Sequence, residues 1–187
     1  MRKIILASGS PRRKELLEGL DFNFEVRLKQ EIQENFPSDI EAEVVPEYLS
    51  RVKASAYLED LQSNEIVITA DTVVICDGSI LGKPSDAKEA AAMLHKISGK
   101  THQVTTGVCI TSKEKQVHFH VNTFVTFKEL TDREINYYID KYKPFDKAGA
   151  YGIQEWIGYI GCTKLEGDYY NVMGLPIYKV YKELQNF

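Results

Sequence analysis

This sequence predicts an α/β fold: a mixed, strongly twisted sheet flanked by helices. Three observations carry that expectation. Strand-like and helix-like stretches alternate along the chain instead of segregating into blocks. The run Ile66-Val67-Ile68-Thr69-Ala70-Asp71-Thr72-Val73-Val74-Ile75 is rich in β-branched residues throughout, as in a central strand covered on both faces. Residues 116–127 alternate, with Val117, Phe119, Val121, Val125 and Phe127 in phase. A chain of 187 residues closes a core without disulfides or a structural metal, and residues 1–187 are expected to form a single domain.

The elements follow in order. Residues 3–7 read as the first strand, because the apolar run after Arg2 and Lys3 stops too soon for a signal peptide. Residues 11–20 read as a helix, with Ser10 as N-cap and Pro11 at the first helical position. Residues 22–28 are expected as a strand, 30–45 as a polar, acidic loop, and 47–61 as a helix. After the strand at 65–76, Asp77-Gly78 makes a two-residue hairpin turn into 79–81. Residues 86–98 form a helix with Ala87, Ala90, Ala91, Leu94 and Ile97 on one face, ended by Gly99. Strands are expected at 104–111 and 116–127. Thr131 and Glu134 then form a capping box for a helix reaching Tyr142. A glycine-rich loop spans 146–154, a strand lies near 159–165, and a last helix at 176–184 buries Ile177, Val180, Tyr181 and Leu184.

Charge and cysteine usage exclude several classes. A net charge of −4 gives no electrostatic basis for binding a nucleic acid polymer. No apolar run approaches the roughly 20 residues of a membrane span, so no membrane partner is expected. Cys76, Cys109 and Cys162 are odd in number and widely spaced, so neither a disulfide framework nor a zinc site is expected. Reduced thiols in a cytoplasmic protein are the simplest reading.

The chemistry concentrates in a few places. In Ser8-Gly9-Ser10-Pro11-Arg12-Arg13-Lys14, three cations occupy the first turn of a helix. Acidic residues would be favoured there by ~0.3–1 kcal/mol each, so the reversed sign points to an anion completing the site. Free backbone N–H groups at a helix start cradle phosphate, and arginine adds bidentate contacts; the alternative is three solvated surface cations. Asp71 lies inside an apolar run, where a carboxylate is costly unless paired, hydrogen-bonded or metal-bound. The alternative is a strand-end aspartate that reaches solvent. The Asp77-Gly78 turn places Lys83 opposite Thr72, within a strand spacing of Asp71, and Gly82 and Pro84 break the ladder so that Lys83 can turn. Asp71 and Lys83 together suit a phosphate-and-metal site. Lys53 shares a helix face with Leu49, Ala56 and Tyr57 and should be partly buried, although lysines also snorkel past such faces. Glu34, like Glu31, is by itself equally well a solvated charge.

Other patterns fail. Gly78 to Lys83 is one residue short of a P-loop and is followed by Pro84. His118 and His120 share a strand face but have no evident third ligand, and read as a solvent-facing pattern. Ser8 and Ser10 lack a nucleophile-elbow context.

Six blocks, in order and spread along nearly the whole chain, resemble the Maf family: Leu6-Ala7-Ser8-Gly9-Ser10-Pro11-Arg12-Arg13, Ala70-Asp71-Thr72, Gly82-Lys83-Pro84, Ser98-Gly99-Lys100-Thr101-His102, Asp146-Lys147-Ala148-Gly149-Ala150-Tyr151-Gly152-Ile153-Gln154 and Val172-Met173-Gly174-Leu175-Pro176. The resemblance implies a fold related to the inosine triphosphate pyrophosphatases, a homodimer, and a nucleoside triphosphate pyrophosphatase that requires Mg²⁺ or Mn²⁺. It makes Asp71 the catalytic acidic residue, surrounds the triphosphate with Arg13, Lys53 and Lys83, and adds Glu34 as a metal-binding residue beside Asp71. The chain departs from the pattern at Gln33, where an aspartate is expected, and at Val52, where an acidic residue is common.

The resemblance also separates branches. A branch acting on 7-methyl-GTP carries tryptophan near Arg12, glutamine for Thr72 and an acidic residue near Gln154. Arg12, Thr72 and Gln154 here resemble the dTTP/UTP branch, and Ser8, Ser10, Arg12, Thr72 and Gln154 are the expected substrate contacts. The expected reaction is attack of water at the α-phosphorus, with pyrophosphate leaving. Two alternatives stay open: a pyrophosphatase for 7-methyl-GTP or other modified nucleotides, and a nucleotide-binding regulatory protein acting in septum formation.

Overall fold

In the computed structural model, which describes residues 2–30 and 32–187, strand β1 (Lys3–Leu6) leads into helix α1 (Pro11–Glu18) and short strand β2 (Phe24–Val26). Helix α2 (Val45–Ser55) precedes the long strand β3 (Glu65–Cys76), which turns at Asp77-Gly78 into β4 (Ser79–Leu81). Helix α3 (Ala87–Ile97), strands β5 (Thr101–Thr111) and β6 (Gln116–Phe127) and helix α4 (Asp132–Tyr142) follow. A single 3-10 turn (Ala148–Ala150), α5 (Trp156–Gly161), β7 (Cys162–Glu166), α6 (Tyr169–Met173) and α7 (Ile177–Leu184) complete the chain. Among the described residues, no helix is long and apolar enough to cross a membrane.

The sheet has seven strands in the order β2-β1-β3-β5-β6-β7, with β4 also on β3. Strand β1 runs parallel to β2 and β3, and every other pairing is antiparallel, so the expected mixed sheet is borne out. One edge of β3 pairs with β5 from Val67 to Ile75. The other edge is shared: β1 covers Glu65 to Ile68 and β4 covers Val74 to Cys76. Between these two partners, residues 69–73 have no strand beside them. This gap lies just beyond the carboxyl end of β1, where ligands bind in open α/β sheets.

Alternation along β3 sends its two sets of side chains to different layers. Thr69 and Val73 face α2: Thr69 Oγ1 donates to Ser50 O at 2.7 Å, and Val73 packs with Val45 and Leu49. On the opposite face, Ile66, Ile68 and Ala70 pack with Leu16 and Leu17 of α1 and Val180 of α7, and Val74 packs with α3 and α4. Helix α2 lies directly on β5 at Gly107, where an added Cβ would come within 2.1 Å of Glu47 N and 2.2 Å of Pro46 C. It is also tied to β6. His118 Nδ1 and His120 Nδ1 lie 2.7 and 2.6 Å from the two carboxylate oxygens of Glu47. Burial works against the Glu47 charge, yet the two histidine hydrogen bonds hold its carboxyl below the usual range. The two histidines are therefore more than a solvent-facing pattern: they clamp α2 to the sheet. Among the described residues, no group of three His, Cys, Asp or Glu side chains could hold a metal.

Several sequence expectations are corrected. The strand expected near 159–165 is split: Trp156–Gly161 is helix α5, and only Cys162–Glu166 is strand. Tyr159 and Ile160 favour a strand by type, but burying Ile157, Gly158 and Gly161 on one face overrides that preference. The five-residue α6, capped by Asp168, carries too few residues to show a period. The helix expected over 47–61 is regular only to Ser55 and continues as tight turns, with Tyr57 O accepting from Asp60 N and Leu61 N. Ala87, expected on the buried face of α3, is exposed, and Met93, which was not expected there, is in the core. Tyr181 is 44% exposed, its ring stacked on Phe22 with centroids 6.0 Å apart. Within the loop expected over 30–45, Glu31 lies outside the described residues. Cys76, Cys109 and Cys162 are free thiols.

The contact at Gly107 sets how closely α2 approaches the sheet. Gly107→Ala is expected to lower stability by about 1–3 kcal/mol through overpacking. Denaturant unfolding measures this, and a midpoint equal to that of the natural protein would mean that α2 is not seated there.

Candidate active site

The gap along β3 opens into a cleft of about 500 Å³. All ten residues singled out from the sequence line it: Ser8, Ser10, Arg12, Arg13, Glu34, Lys53, Asp71, Thr72, Lys83 and Gln154. They come from the loop after β1, the start of α1, the acidic loop, α2, the stretch of β3 with one open edge, the end of β4 and the glycine-rich loop. Chain order scatters them, and the open edge of β3 collects them.

Asp71 shares its face of β3 with Thr69 and Val73, toward α2, so its carboxylate meets the lysine that α2 carries. Lys53 Nζ lies 2.7 Å from Asp71 Oδ1 and 3.0 Å from Glu34 Oε2. Both side chains of the Asp71–Lys53 pair are largely enclosed, at 16% and 14% exposure. The two carboxylates thus converge on one cationic centre. Lys83 follows the last paired residue of β4, whose ladder ends at Val74–Leu81. Continuing that register would put Lys83 opposite Thr72, and the end of the ladder releases it into the cleft. Among the described residues Lys83 makes no ion pair.

The three cations at the start of α1 are used differently from the expectation that all serve an anion. Ser10 caps the helix as predicted, accepting from Arg13 N at 3.4 Å. Lys14 pairs with Glu18 one turn on, at 3.5 Å. Arg13 crosses the gap: Nε donates to Gly174 O at 2.8 Å, Nη1 to Ala70 O at 2.9 Å and Ser8 Oγ at 3.3 Å, and Nη2 to Thr72 Oγ1 at 3.1 Å. Its fork replaces the missing strand neighbour at Ala70 and joins β3 to the turn before α7. Burial pushes this guanidinium below the usual arginine range, while Asp71 draws it back up. Thr72 Oγ1 also contacts Thr106 Oγ1 at 2.8 Å, so its hydroxyl is held from two sides.

Arg12 Nη1 pairs with Asp146 Oδ2 at 2.8 Å. Asp146, Lys147, Glu155 and Tyr138 form a network that residue types alone did not reveal. Asp146 and Lys147 stand inside a matched sequence block, but no spacing rule joins them to Tyr138 on a separate helix. Gln154 borders the cleft with its Oε1 buried and without a hydrogen-bond donor. Buried acceptors are rarely left unpaired, which sets this side chain apart from the satisfied polar groups around it. Tyr151, also on the cleft wall, is held by His102 Nε2 at 2.7 Å, and burial lowers the His102 pKa to about 4. That imidazole is neutral at ordinary pH.

A family model described as Maf-like protein matches residues 3–187. The chain is 55% identical over 185 residues to a dTTP/UTP pyrophosphatase of Parabacteroides distasonis, covering 99% of this chain and 96% of that one. It is 54% identical over 187 residues to a dTTP/UTP pyrophosphatase of Porphyromonas gingivalis, covering 99% and 94%. A solved HAM1 protein from Coxiella burnetii has a TM-score of 0.51 over 100% of both chains at 12% identity, a likeness of fold alone.

The Arg13 fork can be tested by a substitution that keeps its charge. Lysine cannot reach backbone acceptors on two sides at once. Arg13→Lys is therefore expected to cost about 1–3 kcal/mol for the enclosed carbonyl left unpaired. An unfolding midpoint unchanged from that of the natural protein would show that these hydrogen bonds carry no stability.

Proposed function

This chain belongs to the Maf family, and from that premise we propose that it hydrolyses dTTP and UTP to the nucleoside monophosphate and pyrophosphate. The observation that carries the reading is the convergence of Asp71, Glu34 and Lys53 in one cleft with Lys83, which has no ion-pair partner among the described residues. A binding module needs cations for a triphosphate. It has no need of an enclosed carboxylate on the same wall, which repels the ligand unless it takes part in chemistry. The names of the relatives in two genera support the same reaction and the same pair of nucleotides.

The donor set fits a divalent cation. Asp71 and Glu34 present oxygen ligands to one point, as hard cations such as Mg²⁺ or Mn²⁺ require. Asp71 and Glu34 would hold such a cation through their carboxylate oxygens. When bound, such a cation supplies charge neutralisation at the phosphate oxygens.

The chain's own residues perform the rest. Asp71 accepts the proton of the water that attacks the α-phosphorus, as a general base at the edge of the cleft. Lys53, held against Asp71, and Lys83, just beyond β4, stabilise the charge that grows on the phosphates as pyrophosphate leaves. Arg13 acts from behind this group, fixing Ser8, Ala70 and Thr72 in place. Gln154, on the cleft wall, turns its unpaired amide oxygen, buried in the absence of ligand, to the ring N–H of uracil or thymine. A base without that donor leaves the acceptor unsatisfied, and this is how a buried polar site discriminates. Arg12 and Thr72 line the same cleft and complete the base and sugar contacts. A homodimer in the cytoplasm, as the resemblance implies, belongs to the same proposal.

Measuring pyrophosphate release with Mg²⁺ across dTTP, UTP, CTP, GTP and 7-methyl-GTP tests the reading. Preference for dTTP and UTP is expected, preference for 7-methyl-GTP would assign the other branch, and no turnover at all would favour a binding role. Asp71→Asn is isosteric but cannot take the proton, so it should nearly abolish turnover in a folded protein; near-normal rates would remove Asp71 from the mechanism. Lys83→Ala should lower kcat by about 10²–10³-fold, the scale of one preorganised charge. A change in thermal stability alone would make Lys83 structural.

A further inference from the structure

A second set of charged groups, three of which line the cleft, lies apart from the proposed phosphate chemistry. Arg12 Nη1 is 2.8 Å from Asp146 Oδ2, and Asp146 Oδ1 is 2.8 Å from Lys147 Nζ. Lys147 Nζ is 3.2 Å from Glu155 Oε1, and Glu155 Oε2 accepts from the Tyr138 hydroxyl. The Tyr138 oxygen in turn accepts from Gly152 N at 3.0 Å. Two cations and two carboxylates balance one another along this chain. Lys147 is only 8% exposed, and both of its partners are carboxylates, so its charge is largely committed within the protein.

The local backbone shows what the chain holds. Glu155 N donates to Gly152 O at 3.0 Å, closing a four-residue turn with Gln154 at its third position. Tyr138 grips both ends of that turn, Gly152 through its N–H and Glu155 through its carboxylate. The other end of the relay fixes Arg12 through Asp146. Just before the turn, Gly149 and Ala150 adopt left-handed conformations at φ 68 and 59. For alanine this is a strained state, one that persists only where the surroundings enforce it.

We propose that Tyr138, Glu155 and Lys147 are positioning residues for base selection: they hold the turn that presents Gln154 and, through Asp146, the side chain of Arg12. They thereby set which base the cleft accepts, while the phosphate chemistry belongs to the Asp71 group. This inference rests on reading the cleft as a nucleoside triphosphate pyrophosphatase site. A structural tie with no part in selection would slow all substrates alike when cut. A positioning device would raise KM for the preferred base and erode the preference, leaving the saturated rate close to that of the natural protein.

The test uses Tyr138→Phe, which removes one oxygen, and Glu155→Gln, which keeps size and removes charge. For each, kcat and KM are measured with dTTP, UTP and CTP, alongside the thermal unfolding transition. The expected result is a fall of about tenfold in the dTTP-over-CTP ratio of kcat/KM, the scale of one misplaced hydrogen bond. The fall should come from a higher KM for dTTP. Parallel losses for all three nucleotides, a lower kcat at unchanged KM, or failure of both variants to fold would overturn the inference. If the natural protein hydrolyses dTTP and UTP but the variants keep its preference, only this inference fails. If it hydrolyses neither, the proposed function fails and takes this inference with it.

Discussion

The missing strand neighbour along residues 69–73 of β3 is the constraint on which the rest of the structure depends. A central strand normally satisfies both of its backbone edges with other strands. Here one edge is divided between β1 and β4, and the stretch between them must be satisfied by something else. Arg13 does this for Ala70 from the start of α1, and the space left over is the cleft. The same gap lets a carboxylate sit within a run of apolar residues. Asp71 keeps its ladder pairing to Gly107 on the β5 side while its side chain reaches open space and the ammonium of Lys53. With a strand continuous along that edge, Asp71 would be an enclosed charge with little access to a ligand.

The cleft residues divide according to what their hydrogen bonds already hold. Arg13 spends its fork on Ser8, Ala70, Thr72 and Gly174, and Arg12 is bound to Asp146. These two arginines organise the walls. Lys53 is shared by Asp71 and Glu34, and a divalent cation at that point would compete with it for the same oxygens. Lys83 alone among the predicted cations has no partner among the described residues. Helix α2 matters here because it carries Lys53 and is located by the Gly107 approach, the His118–Glu47–His120 clamp and the Thr69–Ser50 hydrogen bond. The position of the ammonium is therefore set by the sheet on which α2 lies, rather than by the flexible stem of the lysine itself.

What could be read from the sequence was whatever rests on local rules. The bounds of β3, β4 and β6 follow from β-branched runs, the Asp77-Gly78 turn and period-two alternation, and the Thr131–Glu134 capping box forms as written. Asp71 was legible because an acid in an apolar strand demands a reason, and Lys83 because a two-residue turn fixes register. Where packing overrules preference, local rules failed: α5 looked like strand, and Tyr181 looked like core. The role of Arg13 could not be read, since its acceptors are backbone groups at positions 57 and 161 residues away. The Tyr138–Glu155–Lys147 connection was hidden for the same reason, because Tyr138 lies on a separate helix and resembles any other buried aromatic. Family resemblance collected the ten cleft residues, but it did not say which touch a ligand and which hold the others.

The division of labour within the cleft follows from which elements are rigid. Asp71, Lys53 and Lys83 sit on or beside regular strands and a packed helix, where position is set by the sheet. Gln154 sits on a loop, and loops hold a side chain precisely only when something outside them does the holding. The loop from Asp146 to Gln154 carries a left-handed alanine, a conformation that costs about 1–3 kcal/mol. It also packs Gly149 so closely on Val74 that an added Cβ would come within 2.8 Å. Left to itself, such a loop would relax, and its glutamine would sample many orientations. Gly149 N donating to Gly82 O ties the loop's middle to the end of β4, next to Lys83, and Tyr138 ties its far end to α4. The strained loop is thus fastened at one point to the group proposed to handle phosphate and at another to a helix outside the cleft. That arrangement permits the turn carrying Gln154 to change without moving the carboxylates and lysines that the proposed chemistry requires.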